Sequence, residues 1–207
     1  MRIAGILLAA GAGTRFGGGK LLARLADGTT VGHRACANLA AALRDVIPAA
    51  DIGDRKIARE VFAVVRPGDE DLARELAATG AHVTVCPGAH AGMGASLAHG
   101  VHAAGAADAV LIALADMPWI RPDTFSAVVA ALARGEQIVV SRHQGKRGHP
   151  VGLGRAHFPA LLLLGDDQGA RDVIARATGI CWIDVDDPGV LRDVDIPDDL
   201  EAHDHRP

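Results

Sequence analysis

A bare glycine loop that follows an apolar run directly is the feature that most constrains the fold. Residues 3–9 are apolar, as expected for a strand that is buried on both faces of a sheet. The loop reads GAGTRFGGGK over residues 11–20, so its backbone is open and a cation stands at its end. A strand that opens into such a loop is typical of α/β proteins, which bind ligands at the carboxyl ends of parallel strands.

The rest of the chain alternates between apolar runs and helical spacings. Predicted strands cover residues 61–65, 82–86, 109–114, 137–141, 181–184 and 191–194, and predicted helices cover residues 31–46, 69–78, 122–134, 156–164 and 169–177, with one more inside 92–104. Residues 48–59 are predicted as a loop or irregular insertion, and residues 142–150 as a basic loop. This alternation predicts a single α/β domain over residues 1–207, a three-layer α/β/α sandwich with a Rossmann-like, mostly parallel sheet.

Composition argues against several classes of protein. The three cysteines are far apart and form no C-x-x-C motif, which favours a reducing cytoplasm and gives no zinc site. A net charge of −4 and the absence of tyrosine argue against a nucleic-acid surface. No apolar run reaches the roughly 18–20 residues of a membrane span, and the start of the chain reads as a strand rather than a signal peptide. We therefore predict a cytoplasmic protein with no nucleic-acid or membrane partner.

Three interpretations of the glycine loop compete. It can be a glycine-rich turn without function. Gly11, Gly13 and Gly17 also form the G-x-G-x-x-x-G of some dinucleotide-binding reductases, but no acidic residue closes the second predicted strand. A Walker A loop fails twice, because Thr14 replaces its first glycine and Leu21 follows the lysine.

The third interpretation is a different cradle for a triphosphate. Backbone N–H groups can surround phosphate oxygens where no Cβ intrudes. Arg15 and Lys20 add two positive charges within the same loop. A triphosphate carries about four negative charges, so cationic side chains are expected beside the backbone dipoles.

The glycine loop and several later motifs resemble those of a known family. The loop is similar to the L-A-A-G-x-x-x-R-[M/F]-G-x-x-K-L-L opening of the MobA-like nucleotidyltransferases, and among them it is most similar to the cytidylyltransferases of molybdenum cofactor synthesis. Five further motifs occur in the family's order: GMGASL (92–97), LADMPWI (114–120), GHPVGL (148–153), DQGAR (167–171) and DVDIPDDL (193–200). The chain departs from the family pattern after KLL, where a proline-containing turn is usual, and in the apparent length of residues 48–59.

The resemblance implies a fold of the nucleotide-diphospho-sugar transferase type, with an N-terminal part that binds nucleotide and a C-terminal part that binds the acceptor. It implies Mg²⁺ as the cofactor and catalytic roles for Lys20, Arg15 and Asp116. The nucleotide-binding residues that it implies are Ala9, Ala10, Gly11, Gly13, Arg15, Lys20, Ser96 and Asp116.

Two aspartates are candidate metal ligands. Asp116 ends an apolar strand just before a proline, where a carboxylate can bind Mg²⁺ or simply form a turn. Asp195 is a possible second ligand, and a helix cap before Pro197 is the alternative.

Basic residues in the C-terminal half are candidates for binding the acceptor. Lys146, Arg147 and His149 lie in a polar loop that is either a solvated basic segment or a lid over an anionic substrate. Arg171 is expected to bind an internal carboxylate or a substrate phosphate.

The implied reaction joins CTP to the terminal phosphate of molybdopterin carrying molybdenum, giving molybdopterin cytosine dinucleotide and pyrophosphate. A phosphate monoester is largely ionised at pH 7, so the reaction needs no general base. The choice of CTP over GTP is a hypothesis from Ala10, where GTP-using relatives tend to have glycine. The alternatives are a GTP-using molybdopterin guanylyltransferase, a related nucleotidyltransferase with another phosphorylated acceptor, a reductase, and a non-catalytic carrier that delivers cofactor to an apo molybdenum hydroxylase.

Overall fold

The computed structural model describes residues 1–11, 13–44, 58–165 and 169–200. Its strands are β1 (Arg2–Leu8), β2 (Ala58–Val65), β3 (His82–Val85), β4 (Ala109–Leu114), β5 (Ile138–His143), β6 (Lys146–Gly154) and β7 (Cys181–Asp184). They form one sheet in the order β3-β2-β1-β4-β6-β5-β7. Only β6 runs antiparallel to its neighbours within this sheet, so the predicted mostly parallel sheet is confirmed.

Helices cover both faces of the sheet. They are α1 (Val31–Arg44), α2 (Glu70–Ala77), α3 (Met93–Ala104), α4 (Pro122–Arg134), α5 (Phe158–Leu162) and α6 (Ala170–Ala175). One apolar core lies between the sheet and α1, α2 and α4, and a second lies between the sheet and α3, α5 and α6. The predicted three-layer α/β/α sandwich is therefore confirmed. Within the described ranges, no helix is long and apolar enough to cross a membrane.

The central strand β1 positions the glycine loop. It pairs in parallel with β2 on one side and β4 on the other, and its residues from Ile3 to Leu7 are buried. Gly100 lets α3 pack closely on this strand, because a Cβ there would lie 2.6 Å from Cγ2 of Ile6. The carboxyl ends of β1, β2, β3 and β4 consequently meet at one edge of the sheet, and the glycine loop emerges there.

The predicted basic loop at residues 142–150 is wrong. These residues belong to a β-hairpin in which His143 of β5 pairs with Lys146 of β6. Its two-residue turn has positive φ at both positions, 49° at Gln144 and 76° at Gly145, as hairpin turns matched to strand twist require. The two strands extend through this polar segment because its backbone groups pair in the same ladder as the buried parts of β5 and β6.

The predicted strand at residues 191–194 is also wrong. Pro188–Leu191 forms a 3₁₀ turn, and the chain then runs without regular structure to a second turn at Pro197–Leu200. Pro188 has no N–H for a strand ladder. Instead, the N–H of Val194 donates to the carbonyl of Asp116 at 2.8 Å, which ties this segment to the end of β4. Most of the predicted insertion, residues 48–57, lies outside the described residues, and residues 58–59 open β2.

Asp187 anchors the segment after β7. It is 2% exposed, and its carboxylate accepts hydrogen bonds from Oγ1 of Thr124 at 2.6 Å and from the N–H groups of Arg121 and Gly189. We expect Asp187→Ala to lower the free energy of unfolding by about 3 kcal/mol, because buried donors lose a charged acceptor.

Urea denaturation checks this prediction. Asp186→Ala is the matched control, since that neighbouring side chain is exposed, and its effect should stay within about 0.5 kcal/mol. Equal effects of the two substitutions would contradict the anchoring role of Asp187.

Candidate active site

A cleft of about 760 Å³ opens at the carboxyl edge of the sheet. The residues that line it are Leu8, Ala10, Gly11, Gly13, Lys20, Leu21, Arg66, Pro67, Pro87, Ala89, His90, Gly92, Met93, Ser96, Leu114 and Asp116. Its volume falls in the usual range for small-molecule sites, about 300–1,000 Å³. The cleft follows the ends of four strands, where α/β proteins of this topology bind ligands.

The conformation of the loop depends on its glycines. Three consecutive residues, Gly17, Gly18 and Gly19, have φ of 88°, 97° and 68°, a region that side chains with a Cβ rarely adopt. The 3₁₀ turn Lys20–Leu22 follows at once, and buried Leu21 holds it against the core. Lys20 is thereby fixed at the floor of the cleft rather than on a free loop.

Lys20 and Asp116 form the central contact of the site. The Lys20 ammonium donates to Oδ2 of Asp116 at 2.7 Å and to the carbonyl of Val194 at 3.0 Å, and it lies 3.6 Å from Oδ1 of Asp195. The Lys20 side chain is only 11% exposed and that of Asp116 22%. The structure thus brings together residues from the glycine loop, the end of β4 and the C-terminal segment.

Arg15 also contacts the C-terminal segment. Its Nη1 donates to Oδ2 of Asp195 at 2.9 Å. The Arg15 side chain is 79% exposed, and ion pairs that exposed contribute little to stability. Arg15 can therefore exchange Asp195 for another anion at small cost.

Asp116 has the features of a metal ligand. Its Oδ1 is buried and has no hydrogen-bond partner, which leaves a carboxylate oxygen available. Burial raises the pKa of Asp193, and the charges of Asp116 and Asp195 raise it further. Asp193 therefore lies close enough to both carboxylates to be affected by their charge. Among the described residues, no set of three His, Cys, Asp or Glu side chains is arranged to hold a metal alone. The arrangement fits Mg²⁺, which commonly takes one or two carboxylates and completes its shell with phosphates and water.

All the predicted nucleotide-binding residues except Ala9 and Arg15 line the cleft. Ala10, Gly11, Gly13 and Ser96 line it, and the Ser96 hydroxyl is 3.4 Å from the carbonyl of Gly92 at the start of α3. Ala9 is buried and does not line the cleft, and its N–H donates to the carbonyl of Val64.

Sequence reasoning missed the residues that follow β2 and β3. Arg66 and Pro67 come directly after β2, and Pro87 and His90 follow β3. Nε of Arg66 donates to Asp69 at 3.0 Å, which orients its guanidinium at the cleft wall. The rule that the carboxyl ends of parallel strands share one edge of the sheet could have indicated these residues.

The predicted acceptor residues fall at the start of β6 and on α6. Lys146 is exposed beside the hairpin turn, whereas Arg147 is half-buried. The His149 ring has a buried Nδ1 with no hydrogen-bond partner. Burial lowers the pKa of His149 to about 4, with Arg147 adding to the effect and the Ile112 carbonyl and Asp116 opposing it. This imidazole is therefore neutral at pH 7. Asp167 and Gln168, the first two residues of the DQGAR motif, lie outside the described ranges.

The fold and this site together define a nucleotidyltransferase. The MobA-like NTP transferase domain matches residues 5–180, and the chain belongs to this family.

Two curated relatives show how varied related proteins are. Phosphoenolpyruvate guanylyltransferase of Sphaerobacter thermophilus is 34% identical over 148 residues, which cover 70% of each chain. The purine catabolism protein PucB of Bacillus subtilis is 31% identical over 121 residues, or 56% of this chain. That match spans only 58% of the length of PucB.

Solved structures share the fold. Rv0371c from Mycobacterium tuberculosis H37Rv is 26% identical, with a TM-score of 0.75 over 96% of this chain and 95% of its own. A complex of Rv0371C with manganese superposes with a TM-score of 0.71 at 24% identity, covering 97% of both chains. The molybdopterin-guanine dinucleotide biosynthesis protein A of Archaeoglobus fulgidus has a TM-score of 0.61 at 17% identity, covering 97% of this chain and 95% of its own.

Proposed function

We propose that this nucleotidyltransferase transfers CMP from CTP to the terminal phosphate of molybdenum-carrying molybdopterin, releasing pyrophosphate. The observation that carries the proposal is the 2.7 Å contact between Lys20 and Asp116 beside the glycine loop, with Oδ1 of Asp116 left available. It supports a site in which a cation and a metal-binding carboxylate act on one triphosphate. The six family motifs support the particular nucleotide and acceptor.

The chemistry is a displacement at the α-phosphorus. A phosphate oxygen of the acceptor forms a bond to the α-phosphorus, and the bond to the leaving pyrophosphate breaks. Backbone N–H groups of the loop with Arg15 and Lys20 would hold the triphosphate and offset the charge on the leaving group. Asp116, with Asp195 as a second ligand, would hold Mg²⁺, and the manganese complex of a protein with this fold is consistent with a divalent ion. When bound, Mg²⁺ would neutralise phosphate charge and align the reacting groups.

The two substrates would be bound by different parts of the chain. The N-terminal part, through Ala9, Ala10, Gly11, Gly13 and Ser96, would bind the nucleotide. The C-terminal part would bind the acceptor through Lys146, Arg147, His149 and Arg171. Neutral His149 would donate or accept a hydrogen bond without adding charge. Delivery of the product to an apo molybdenum hydroxylase is compatible with this role.

The choice of base is the first test. Ala10 lines the cleft and is 8% exposed, so its methyl group limits the space beside the nucleotide. We expect the wild-type protein to prefer CTP. Ala10→Gly should raise the ratio of GTP to CTP turnover by about 10-fold, because a single methyl group is worth roughly 1–3 kcal/mol in a binding pocket.

Competition between labelled CTP and GTP measures this ratio. Ala40→Gly, a change of the same size on buried α1 away from the cleft, is the matched control and should leave the ratio unchanged. A wild-type preference for GTP would contradict the assignment of CTP.

Guanylyl transfer to phosphoenolpyruvate is a second candidate. It is favoured by the Sphaerobacter relative, which matches over 70% of both chains and carries that activity in its name. The deciding assay offers CTP and GTP in all combinations with purified molybdopterin and phosphoenolpyruvate, and identifies products by mass spectrometry. A cytosine dinucleotide of molybdopterin supports the first candidate, and a guanylylated phosphoenolpyruvate supports the second. If neither acceptor gives release of pyrophosphate, both candidates are contradicted.

A further inference from the structure

The pairing of β5 and β6 is irregular next to Arg147, one of the predicted acceptor residues. Val140 pairs with Val151 and Arg142 pairs with Arg147, so one residue of β5 lies opposite three residues of β6, Gly148 to Pro150. Bulges of this kind re-aim neighbouring side chains and are common beside active sites. Gly148 allows β6 to lie close to the segment of Val190, because a Cβ at residue 148 would collide with the carbonyl oxygen of Val190.

Arg171 approaches Arg147 from the helical layer. It lies in the first turn of α6, a helix anchored by Ala170 and Ile174, which pack into the same core as Val151. Burial lowers the pKa of Arg147, and the positive charge of Arg171 lowers it further. The two guanidinium groups are therefore close enough to repel each other.

Neither arginine has a counter-charge in the described part of the chain. No carboxylate there lies within ion-pair distance of Arg147 or Arg171. The neighbouring Arg142 differs, since both oxygens of Asp184 bind it at 2.5 and 2.8 Å. Two adjacent guanidinium groups, one of them half-buried, are stabilised by an anion that accepts from both. Their planar donor arrays suit a carboxylate or phosphate particularly well.

This pair lies beside the proposed reaction centre. Val151 of β6 pairs antiparallel with Ile112 of β4, so the part of β6 that precedes Val151 runs beside the end of β4, and the charges of Arg147 and Asp116 both act on His149. The strands β4 and β6 are neighbours in the sheet, and neighbouring strands are about 5 Å apart. We therefore expect an anion held by the arginines to belong to the same acceptor molecule as the attacking phosphate.

We propose that Arg147 and Arg171 together bind a second anionic group of the acceptor, so that the substrate is a phosphate monoester with another anion close by. The inference rests on the proposed function and narrows its acceptor class. A short phosphorylated carboxylic acid and a phosphorylated cofactor with an oxyanion centre both have this chemistry.

Matched probes test the second anion directly. Isothermal titration of the protein saturated with Mg²⁺ and α,β-methylene CTP would compare 2-phosphoglycolate with 2-hydroxyethyl phosphate, which lacks the carboxylate. We expect 2-phosphoglycolate to bind at least about 10-fold more tightly, the effect of one charged hydrogen bond. Arg147→Gln and Arg171→Gln should bring this ratio close to one without changing analogue affinity.

Two further variants sharpen the comparison. Arg176→Gln makes the same change at an exposed position at the end of α6 and should keep the wild-type ratio. Arg147→Lys keeps the charge but loses the planar donor array, so an intermediate ratio is expected. Circular dichroism of each variant establishes that it is folded before its ratio is interpreted.

The outcomes separate this inference from the proposed function. If α,β-methylene CTP and its GTP counterpart both fail to bind, the proposed function fails and this inference fails with it. If an analogue binds but the wild-type protein does not discriminate between the probes, or the variants weaken both probes equally, only the second-anion site is refuted. Turnover of phosphoenolpyruvate and of molybdopterin by the wild-type protein then tells which source supplies the anion.

Discussion

Lys20→Ala is expected to lower kcat/KM for nucleotidyl transfer by about 100- to 1,000-fold with saturating Mg²⁺. The reason is that the ammonium, fixed beside Asp116, would offset the charge that builds on the leaving pyrophosphate. Loss of one preorganised charge donor of this kind typically costs about 10²–10³ in rate. Lys20 is only 11% exposed, so water cannot fully replace its charge.

Pyrophosphate release in steady state measures this effect. Arg24→Ala is the control, because that nearby arginine donates to the carbonyl of Gly28 and does not line the cleft. It should retain activity within about threefold, a change of less than 1 kcal/mol. Near-normal turnover of folded Lys20→Ala protein would remove the lysine from the catalytic group.

Asp116→Asn is expected to have a comparably large effect, about 10²–10³ in turnover, through loss of the metal. The amide has the size of the carboxylate but no negative charge, so packing at the end of β4 is retained. The buried Oδ1, which has no hydrogen-bond partner, is the carboxylate oxygen that would contact a divalent ion. Removal of divalent ions from the wild-type protein with a chelator should lower turnover to the same degree.

Binding of Mn²⁺ in the presence of nucleotide, followed by electron paramagnetic resonance, gives a second readout. We expect Asp116→Asn to weaken this binding strongly. Asp123→Asn, an exposed carboxylate in the first turn of α4, should not change it. Unaltered Mn²⁺ affinity in the Asp116 variant would assign the metal to other residues.

Much of the fold could be predicted because the strands and long helices have strong periodic signals. The apolar run before the glycine loop is β1, and the Pro122 start and Gly135 end of α4 were readable as helix boundaries. The hairpin at Gln144 and Gly145 was missed because its basic residues resemble a solvated loop. Pairing with buried strands outweighs that local polarity, and no local pattern reports it.

The candidate site was predictable in its parts rather than in its contacts. The glycine loop with Lys20, and Asp116 at a strand end, are visible as local motifs. Arg66 lacked such a signal, because an arginine after a strand has many ordinary roles. The irregular pairing at Gly148 was equally hidden, since it depends on how two strands register.

Composition and periodicity alone determined the α/β class, the order of most elements and the loop at the end of the first strand, because these depend on neighbours along the chain. Only the tertiary structure decided that Lys20 meets Asp116, 96 residues away, and that Arg15 meets Asp195, 180 residues away. It also decided that the charge of Arg171, on α6, acts on Arg147, on β6. Such contacts depend on how strands are ordered and layers are packed, and that order is a property of the whole chain rather than of any short segment.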